Sequence, residues 1–579
     1  MKVADYIAEY LAEKKVPAVF ELVGGMITFL IDSIHCDGRT RLISMHHEQG
    51  AAFAAEGAAR ISGIPGVALA TSGPGATNLL TGIGSCYFDS TPAVFITGQV
   101  NRFEQKGSST VRQLGFQETD IVRMVQPIVK RSWAVDDPDQ IPAILDEAFR
   151  TATSGRPGPV LIDIPMDVQR AQIDLLTKRA PKPAEPEILA SMTAADAFRI
   201  RDALLSAERP LILAGGGIRA AGSADLFRKL VGIASIPVVH SLMGVDALPW
   251  GHVLNAGLIG SYGNRWSNLA ISESDLLLVL GSRLDVRQTG SDTDNFKGDR
   301  QIFHVDCDEA EINNRVKGCH AVVSHLVPGI ARLIEVLTPV AGQLVKHSET
   351  WLSAITSLRA EWSDIQELKD IEGINPNRFM HQLARANCDA EAYVVDVGQH
   401  QMWAAQSLEI QHNQRFITSG GMGSMGFALP AAIGAAISRP GRPVVMIAGD
   451  GSFQCNIQEL QTVVRHALPL RMVVLNNQCL GMVRQFQQSY FAGRYQSTVW
   501  GYSAPDFSAV AASYGIPSKT IADSKEVEEA VSWLTHCGGG PSLLQVMISP
   551  SVNAYPKLAF GKGMASMEPM VFSSEMEAT

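Results

Sequence analysis

The sequence predicts an α/β protein built from three parallel-sheet domains, and three observations carry that expectation. First, a short apolar run that ends in a glycine-rich turn and leads into a helical pattern occurs in three separate segments, the grammar of parallel α/β units. Second, 579 residues exceed what a single hydrophobic core accommodates and suggest about three domains. Third, an apolar fraction of 46% beside a charged fraction of 18% describes a soluble globular chain with material for several cores.

The first segment runs from Val67 to Ala70 into Thr71-Ser72-Gly73-Pro74-Gly75 and returns at Ala93 to Thr97. In the second, Leu211 to Ala214 enters Gly215-Gly216-Gly217, with further strand-like runs at Pro237 to His240, Leu276 to Leu280 and Ile302 to Asp306. In the third, Val444 to Ala448 enters Gly449-Asp450-Gly451, and a helical stretch leads to Arg471 to Leu475. The proline-containing stretch LLTKRAPKPAEPEILA marks the first boundary as an extended linker. The expected division is a first domain over 1–170, a linker at 171–190, a central domain over 191–345, a second linker at 346–371 and a third domain over 372–555. The glycine- and methionine-rich tail, 556–579, reads as a mobile segment or a lid.

The formal net charge of -10, without a local Lys/Arg-rich run, argues against nucleic acid as a partner. No uninterrupted apolar run reaches the roughly 18 residues of a membrane helix, and MKVADYIAEYLAEKK has helical spacing and no signal-like apolar core. A cytoplasmic protein without membrane contact is expected. The eight cysteines lack a C-x-x-C pair, which fits buried thiols in a reducing compartment better than disulfides or a zinc site.

The strongest local signal is Gly449-Asp450-Gly451 followed, after 24 further residues, by Asn476-Asn477. If both flanking runs are strands of one parallel βαβ unit, their ends open on the same sheet edge and bring Asp450 beside Asn477. Ile457, Leu460, Val463, Val464 and Ala467 would form the buried face of the intervening helix, which would start after Gly451. A carboxylate, an amide oxygen and a backbone carbonyl make a partial octahedron for Mg²⁺, completed by phosphate oxygens and water. Alone, a G-D-G turn is a common strand-to-helix turn; the Asn pair in strand context raises it to a diphosphate-metal signature.

The segment GDGSFQCNIQELQTVVRHALPLRMVVLNN resembles the cofactor motif of the thiamine-diphosphate enzymes, in particular the acetolactate synthase large-subunit family, and the resemblance extends to about residue 555. It implies the fold of that superfamily, with a pyrimidine-binding, a central and a diphosphate-binding domain in that order. It also implies Mg²⁺ ligation by Asp450, Asn477 and the carbonyl of Cys479. His46-His47-Glu48-Gln49-Gly50-Ala51 is similar to the family's H-E-Q-G-A element, which makes Glu48 the proton relay to the aminopyrimidine ring; the plainer reading is an exposed glutamate at a helix start. Adjacent histidines do not converge on one ion, so His46-His47 is not read as a metal pair.

Further matches are residue by residue. Gly25 corresponds to the pyrimidine-domain loop and Gln117 to the active-site glutamine. Val397, Gly398, Gln399 and His400 lie in VGQHQMW, which resembles the diphosphate-grasping segment, and Gly423 and Met425 lie in GGMGSMGFALPAAIGA, whose methionine supports the cofactor's bent shape in the family. Gly449, Gly451 and Ser452, with Met482 and Val483 of the Gly481-Met482-Val483 element, complete the implied cofactor contacts. Gly421-x-Gly423-x-x-Gly426 satisfies a dinucleotide fingerprint, but without a clear preceding βα start or a well-placed acidic residue it is not read as an NAD site. Because the relay glutamate and the metal ligands fall in different domains, and the family shares its sites between chains, a homodimer or homotetramer is implied.

In the central domain, Gly215, Gly216, Arg283 and Asp306, together with Arg156, match elements that bind a structural FAD in acetolactate synthases. The departures from the family fall where an acceptor substrate is expected: Phe486 replaces a tryptophan, Gly260-Ser261-Tyr262-Gly263 replaces G-M-H-G, Met166 replaces a lysine and Val286 an aspartate. Arg287, suited to grip a carboxylate, is kept. The expected function is decarboxylation of pyruvate and transfer of the remaining two-carbon unit to a 2-oxo acid. The alternatives are a bulkier ketone acceptor such as a keto-deoxy-sugar nucleotide, a flavin pyruvate oxidase, or a binding homologue without chemistry.

Overall fold

Long apolar runs such as VALA, LLLVL and VVMIA, without polar alternation, suit strands covered on both faces, and the chain folds them so. The computed structural model describes residues 1–174 and 190–569; the greater part of the expected 171–190 linker and the last residues of the tail lie outside the described residues. The first domain contains β1 (Ala18–Leu22), β2 (Arg41–Ser44), β3 (Gly66–Ala70), β4 (Ala93–Gln99), β5 (Arg131–Ala134) and β6 (Pro159–Pro165). The central domain contains β7 (Pro210–Ala214), β8 (Val238–His240), β9 (Asn255–Leu258), β10 (Leu276–Leu280), β11 (Gln301–Asp306) and β12 (His320–Val323). The third contains β13 (Ala392–Val395), β14 (Arg415–Thr418), β15 (Val444–Gly449), β16 (Leu470–Asn476), β17 (Ser518–Ile521) and β18 (Ser542–Met547).

Each set forms one six-stranded parallel sheet. The first and third sheets share one strand order, β2-β1-β3-β4-β6-β5 and β14-β13-β15-β16-β18-β17, so β1 corresponds to β13 and β3 to β15. The central sheet runs β12-β11-β10-β7-β8-β9, the doubly wound order of dinucleotide-binding folds. In such sheets ligands bind beyond the carboxyl ends of the strands where the winding reverses. Those positions are β1/β3, β13/β15 and β7/β10, and each receives one of the glycine-rich turns.

The first and third domains share a core. Helix Glu48–Ser62, rich in alanine, lies against helix Ala428–Ser438 in backbone contact. A Cβ on Gly57 would stand 2.1 Å from the Ala431 carbonyl oxygen, and one on Gly434 only 1.9 Å from that of Ala54. Phe53 meets Phe427 edge to face at 5.4 Å just beyond this contact. A Gly57→Val chain is therefore expected to lose about 3 kcal/mol or more through overpacking, read as an earlier thermal unfolding midpoint.

Several expectations need correction. Within 346–371, helix Ala341–Glu361 covers most of the span and buries Trp351 and Ile355 against the central domain. Residues 556–569 are docked, with Leu558, Met564 and Met567 buried and Arg265 donating to the carbonyls of Met567 and Pro569. The helix of the metal motif starts at Asp450, spans only Asp450–Gln454, and resumes as Leu460–Arg465 after a break. Ala467 lies past its end with φ +45° and is exposed, while Val464 is half-buried. The eight cysteines are free, but Cys36, Cys388 and Cys455 are exposed. Among the described residues no helix is long and apolar enough to cross a membrane.

Candidate functional site

At the β1/β3 edge, Thr71 is the hub. A Cβ on Gly24 would lie 2.5 Å from the Thr71 side chain, and the Met26 N-H donates to Thr71 Oγ1 over 3.3 Å. Gly25 faces open space. Gly73, at φ +64°, lets Gln117 approach to within 2.9 Å of where its own Cβ would be, and Gln117 itself holds φ +66°. Glu48 opens its helix, but it is 6% exposed rather than solvated. Its Oε2 accepts from Asn78 Nδ2 at 2.9 Å, and its Oε1 lies 3.1 Å from a Cβ built on Gly75. His47 caps the helix by accepting from the Gln49 N-H, so its imidazole serves structure here. Gly25, Gln117 and Glu48 thus surround one turn.

At the equivalent β13/β15 edge, the register Gly449↔Leu475 sets the Asp450 turn beside Asn477. The Cys479 N-H donates to Asn477 Oδ1 at 3.3 Å, and Tyr502 donates to Asp450 Oδ2 at 3.1 Å. Burial pushes the Asp450 carboxyl up to about 6, opposed by the Tyr502 hydroxyl bond. A buried carboxylate short of positive charge is a position that a divalent cation would stabilise. Gln399 Oε1 accepts from Asn477 Nδ2 at 3.1 Å, and a Cβ on Gly481 would collide with both side chains. His400 packs against Gly398 and Gly449; burial depresses its imidazole to about 3, and its Nε2 is buried without a partner. Met425 Cε stands 3.4 Å from a Cβ on Gly451, while Ser452 spends its hydroxyl on Gly449. Met482 is half-buried and Val483 half-exposed on helix Gly481–Tyr490. Among the described residues no three His, Cys, Asp or Glu side chains converge for a metal.

The glycine loop after β14 requires another correction. A strand, β14, does precede Gly421 and a helix does follow Gly426, so the strand and helix that the sequence left unclear are present. What excludes an anion there is that carboxylates of the protein already occupy the donors. Asp89 accepts from the N-H groups of Gly420 and Gly421 at 3.0 and 2.6 Å, and Asp396 from those of Gly426 and Ala428 at 3.0 and 2.8 Å. Neither aspartate was singled out from the sequence. Asp396 directly precedes the VGQHQMW segment, a signal that could have flagged it; Asp89 had none.

The β7/β10 switch point opens into a cavity of about 370 Å³ whose lining includes Arg156, Gly216, Arg283, Arg287 and Asp306. Gly215 serves packing instead: its Cβ would lie 2.0 Å from the Gly281 carbonyl. Arg156 reaches over from the first domain to Glu311 and Asp308 at 2.7 and 3.3 Å. Tyr262 lines the same cavity, its hydroxyl pushed to about 12 by burial despite the Arg287 charge nearby. Phe486, about half exposed, packs against Tyr490 with the rings tilted by 49° and 4.6 Å between centroids. Met166 sits apart in the first domain, next to Asp167 and its Arg102 partner, so not all four departures from the family cluster within one chain. Neither Glu48 nor Asp450 lines the cavity.

Two matching half-sites on equivalent sheet edges, one built around a buried glutamate and one around an Asp-Asn pair, define the class of a thiamine-diphosphate enzyme. Comparison agrees domain by domain. Residues 1–124 match the thiamine pyrophosphate enzyme N-terminal TPP binding domain, residues 199–333 its central domain, and residues 396–546 its C-terminal TPP binding domain. The chain is 37% identical over 567 residues to the acetolactate synthase isozyme 2 large subunit of Escherichia coli (strain K12), covering 98% of this chain and 99% of that protein. It is 37% identical over 578 residues to the acetolactate synthase large subunit of Parasynechococcus marenigrum, covering 97% and 90%, and 34% over 576 residues to that of Lactococcus lactis, covering 99% and 97%. The chain belongs to the acetolactate synthase large-subunit family of thiamine-diphosphate-dependent enzymes.

Proposed function

We propose that this protein decarboxylates pyruvate and transfers the two-carbon unit to a 2-oxo acid, giving an acetohydroxy acid. The observation that carries the proposal is the pairing of the buried Glu48 with the Asp450-Asn477 turn on corresponding edges, in a chain alignable end to end with acetolactate synthase large subunits. Thiamine diphosphate would supply a nucleophilic carbon that doubles as an electron sink, a chemistry no side chain offers. Asp450, Asn477 and the Cys479 carbonyl would hold Mg²⁺, and the partnerless His400 Nε2 and the Gly398-Gly449 cradle fit the diphosphate. Val397, Gln399, Gly423, Met425, Gly451, Ser452, Met482 and Val483 would shape the rest of the cofactor bed. Glu48, set by Asn78, would exchange a proton with the aminopyrimidine ring, while Gln117 and the Gly25 backbone border the reacting carbon. Arg287 would grip the acceptor carboxylate and Phe486 limit its side chain.

The two half-sites belong to different domains, and we read the active site as shared between two subunits of a homodimer or homotetramer. Asp450 would then face the partner's Glu48. A cytoplasmic setting accords with the free thiols. The cavity at the β7/β10 switch point supports FAD as a structural group beside Arg156, Gly216, Arg283 and Asp306, since ligands of this fold bind there. The relatives named above favour the 2-oxo acid acceptor and lend nothing to a keto-sugar acceptor or a pyruvate oxidase.

Mass spectrometry of products tests the acceptor. Pyruvate alone is expected to yield acetolactate; product formed only when a bulkier ketone is added would refute the 2-oxo acid reading. The purified protein is expected to be yellow, with a flavin band that anaerobic pyruvate does not bleach, whereas rapid bleaching would mark an oxidase.

A further inference from the structure

The Asp89 carboxylate is 2% exposed and lies where all three domains meet. Its oxygens receive the Gly420 and Gly421 N-H groups, and Oδ2 also faces Arg60 Nη2 at 3.0 Å. Arg60 in turn donates to the Thr418 carbonyl at 2.8 Å, holding the end of β14 from which the loop departs. The loop has little room elsewhere: a Cβ on Gly421 would stand 2.8 Å from Phe88 Cβ, and one on Gly420 2.4 Å from Met243 Sδ. Its other end is held by Asp396, and between the two anchors it carries Met425 to the Asp450 turn.

The same anchor forms a wall of the central cavity. Phe88, Asp89, Ser90, Met243 and Gly420 line it, and Ser90 Oγ accepts from Arg156 Nε at 2.8 Å. A ligand filling the cavity would press on Gly420 and Met243 directly, and the carboxylate that fixes Gly420 fixes the register of the loop as far as Met425. The loop is the short covalent path between the two sites, five residues from Gly420 to Ser424 and then the methionine.

We infer that Asp89 is a positioning residue which, through loop 420–426, links the central cavity to the thiamine site, so that a flavin dinucleotide and thiamine diphosphate raise one another's affinity. The inference rests on the dinucleotide reading of the cavity proposed above. Linkage of this kind is reciprocal: each ligand must change the other's dissociation constant by the same factor. Asp89→Asn keeps the shape and leaves Arg60 paired with Glu56, but it replaces one of two acceptor oxygens with a donor facing a backbone N-H.

The test uses the full-length protein freed of both groups. The dissociation constant of thiamine diphosphate, with Mg²⁺, is measured with and without FAD, and that of FAD with and without thiamine diphosphate, by calorimetry and flavin fluorescence. In the wild type both factors are expected to agree, at roughly tenfold; in Asp89→Asn both are expected to fall toward one while each ligand still binds singly. Independent affinities in the wild type would overturn the linkage even if the variant failed to fold. Full linkage in Asp89→Asn would overturn the role of Asp89. Failure of FAD to bind the wild type at all would instead remove the dinucleotide reading, and this inference with it.

Discussion

Glu48→Gln is expected to lower pyruvate decarboxylation by about 10²- to 10⁴-fold, the range associated with a positioned proton-transfer group. The fold has little reason to respond. Glutamine is isosteric, and its amide oxygen can still accept the bond that Asn78 Nδ2 now gives to Oε2. Losing the charge in the first turn costs the helix start less than about 1 kcal/mol, and His47 still supplies the cap. Thermal unfolding and thiamine diphosphate binding should stay near wild type while carbon dioxide release collapses. Undiminished release would remove Glu48 from the chemistry.

Asp450→Ala is expected to weaken Mg²⁺-dependent retention of thiamine diphosphate by more than roughly 100-fold, since even outer-shell partners of metal ligands are worth 10- to 100-fold. Truncation would leave the Tyr502 hydroxyl without its acceptor, a cost of about 1 kcal/mol, too little to unfold the domain. Calorimetry with and without Mg²⁺ separates the two effects. Retention that still depends on Mg²⁺ and keeps wild-type affinity would exclude Asp450 as a ligand.

The strands of the three segments and their turns could be read from the sequence because β3, β7 and β15 are apolar runs leading into glycine-rich turns, and that signal is local. The spacing of the motif was legible for the same reason: Asp450 and Asn477 each directly follow the end of one of two adjacent strands, and parallel register did the rest. Where reading failed, distant contacts decided. Ala467 fits the helical period, but the chain turns left-handed there to enter β16. At Glu48 the plainer alternative of an exposed helix start is the one that fails, since the side chain is 6% exposed beside Asn78 and the Thr71–Gly75 turn. Asp89 and Asp396 reach loop amides through folding, Asp89 across 331 positions, and no pattern of residue types announces such a pair. For the same reason the dinucleotide fingerprint at 421–426 could not be seen to be already filled.

The shared site is tested most directly by mixing the two inactive chains. Co-expressed Glu48→Gln and Asp450→Ala subunits, assembling at random, place an intact pair of half-sites in one of the two sites of each mixed dimer. The account expects recovery of about a quarter of wild-type carbon dioxide release from pyruvate, given twofold assembly with one residue from each subunit. Mixed assemblies as inactive as either variant alone would contradict it.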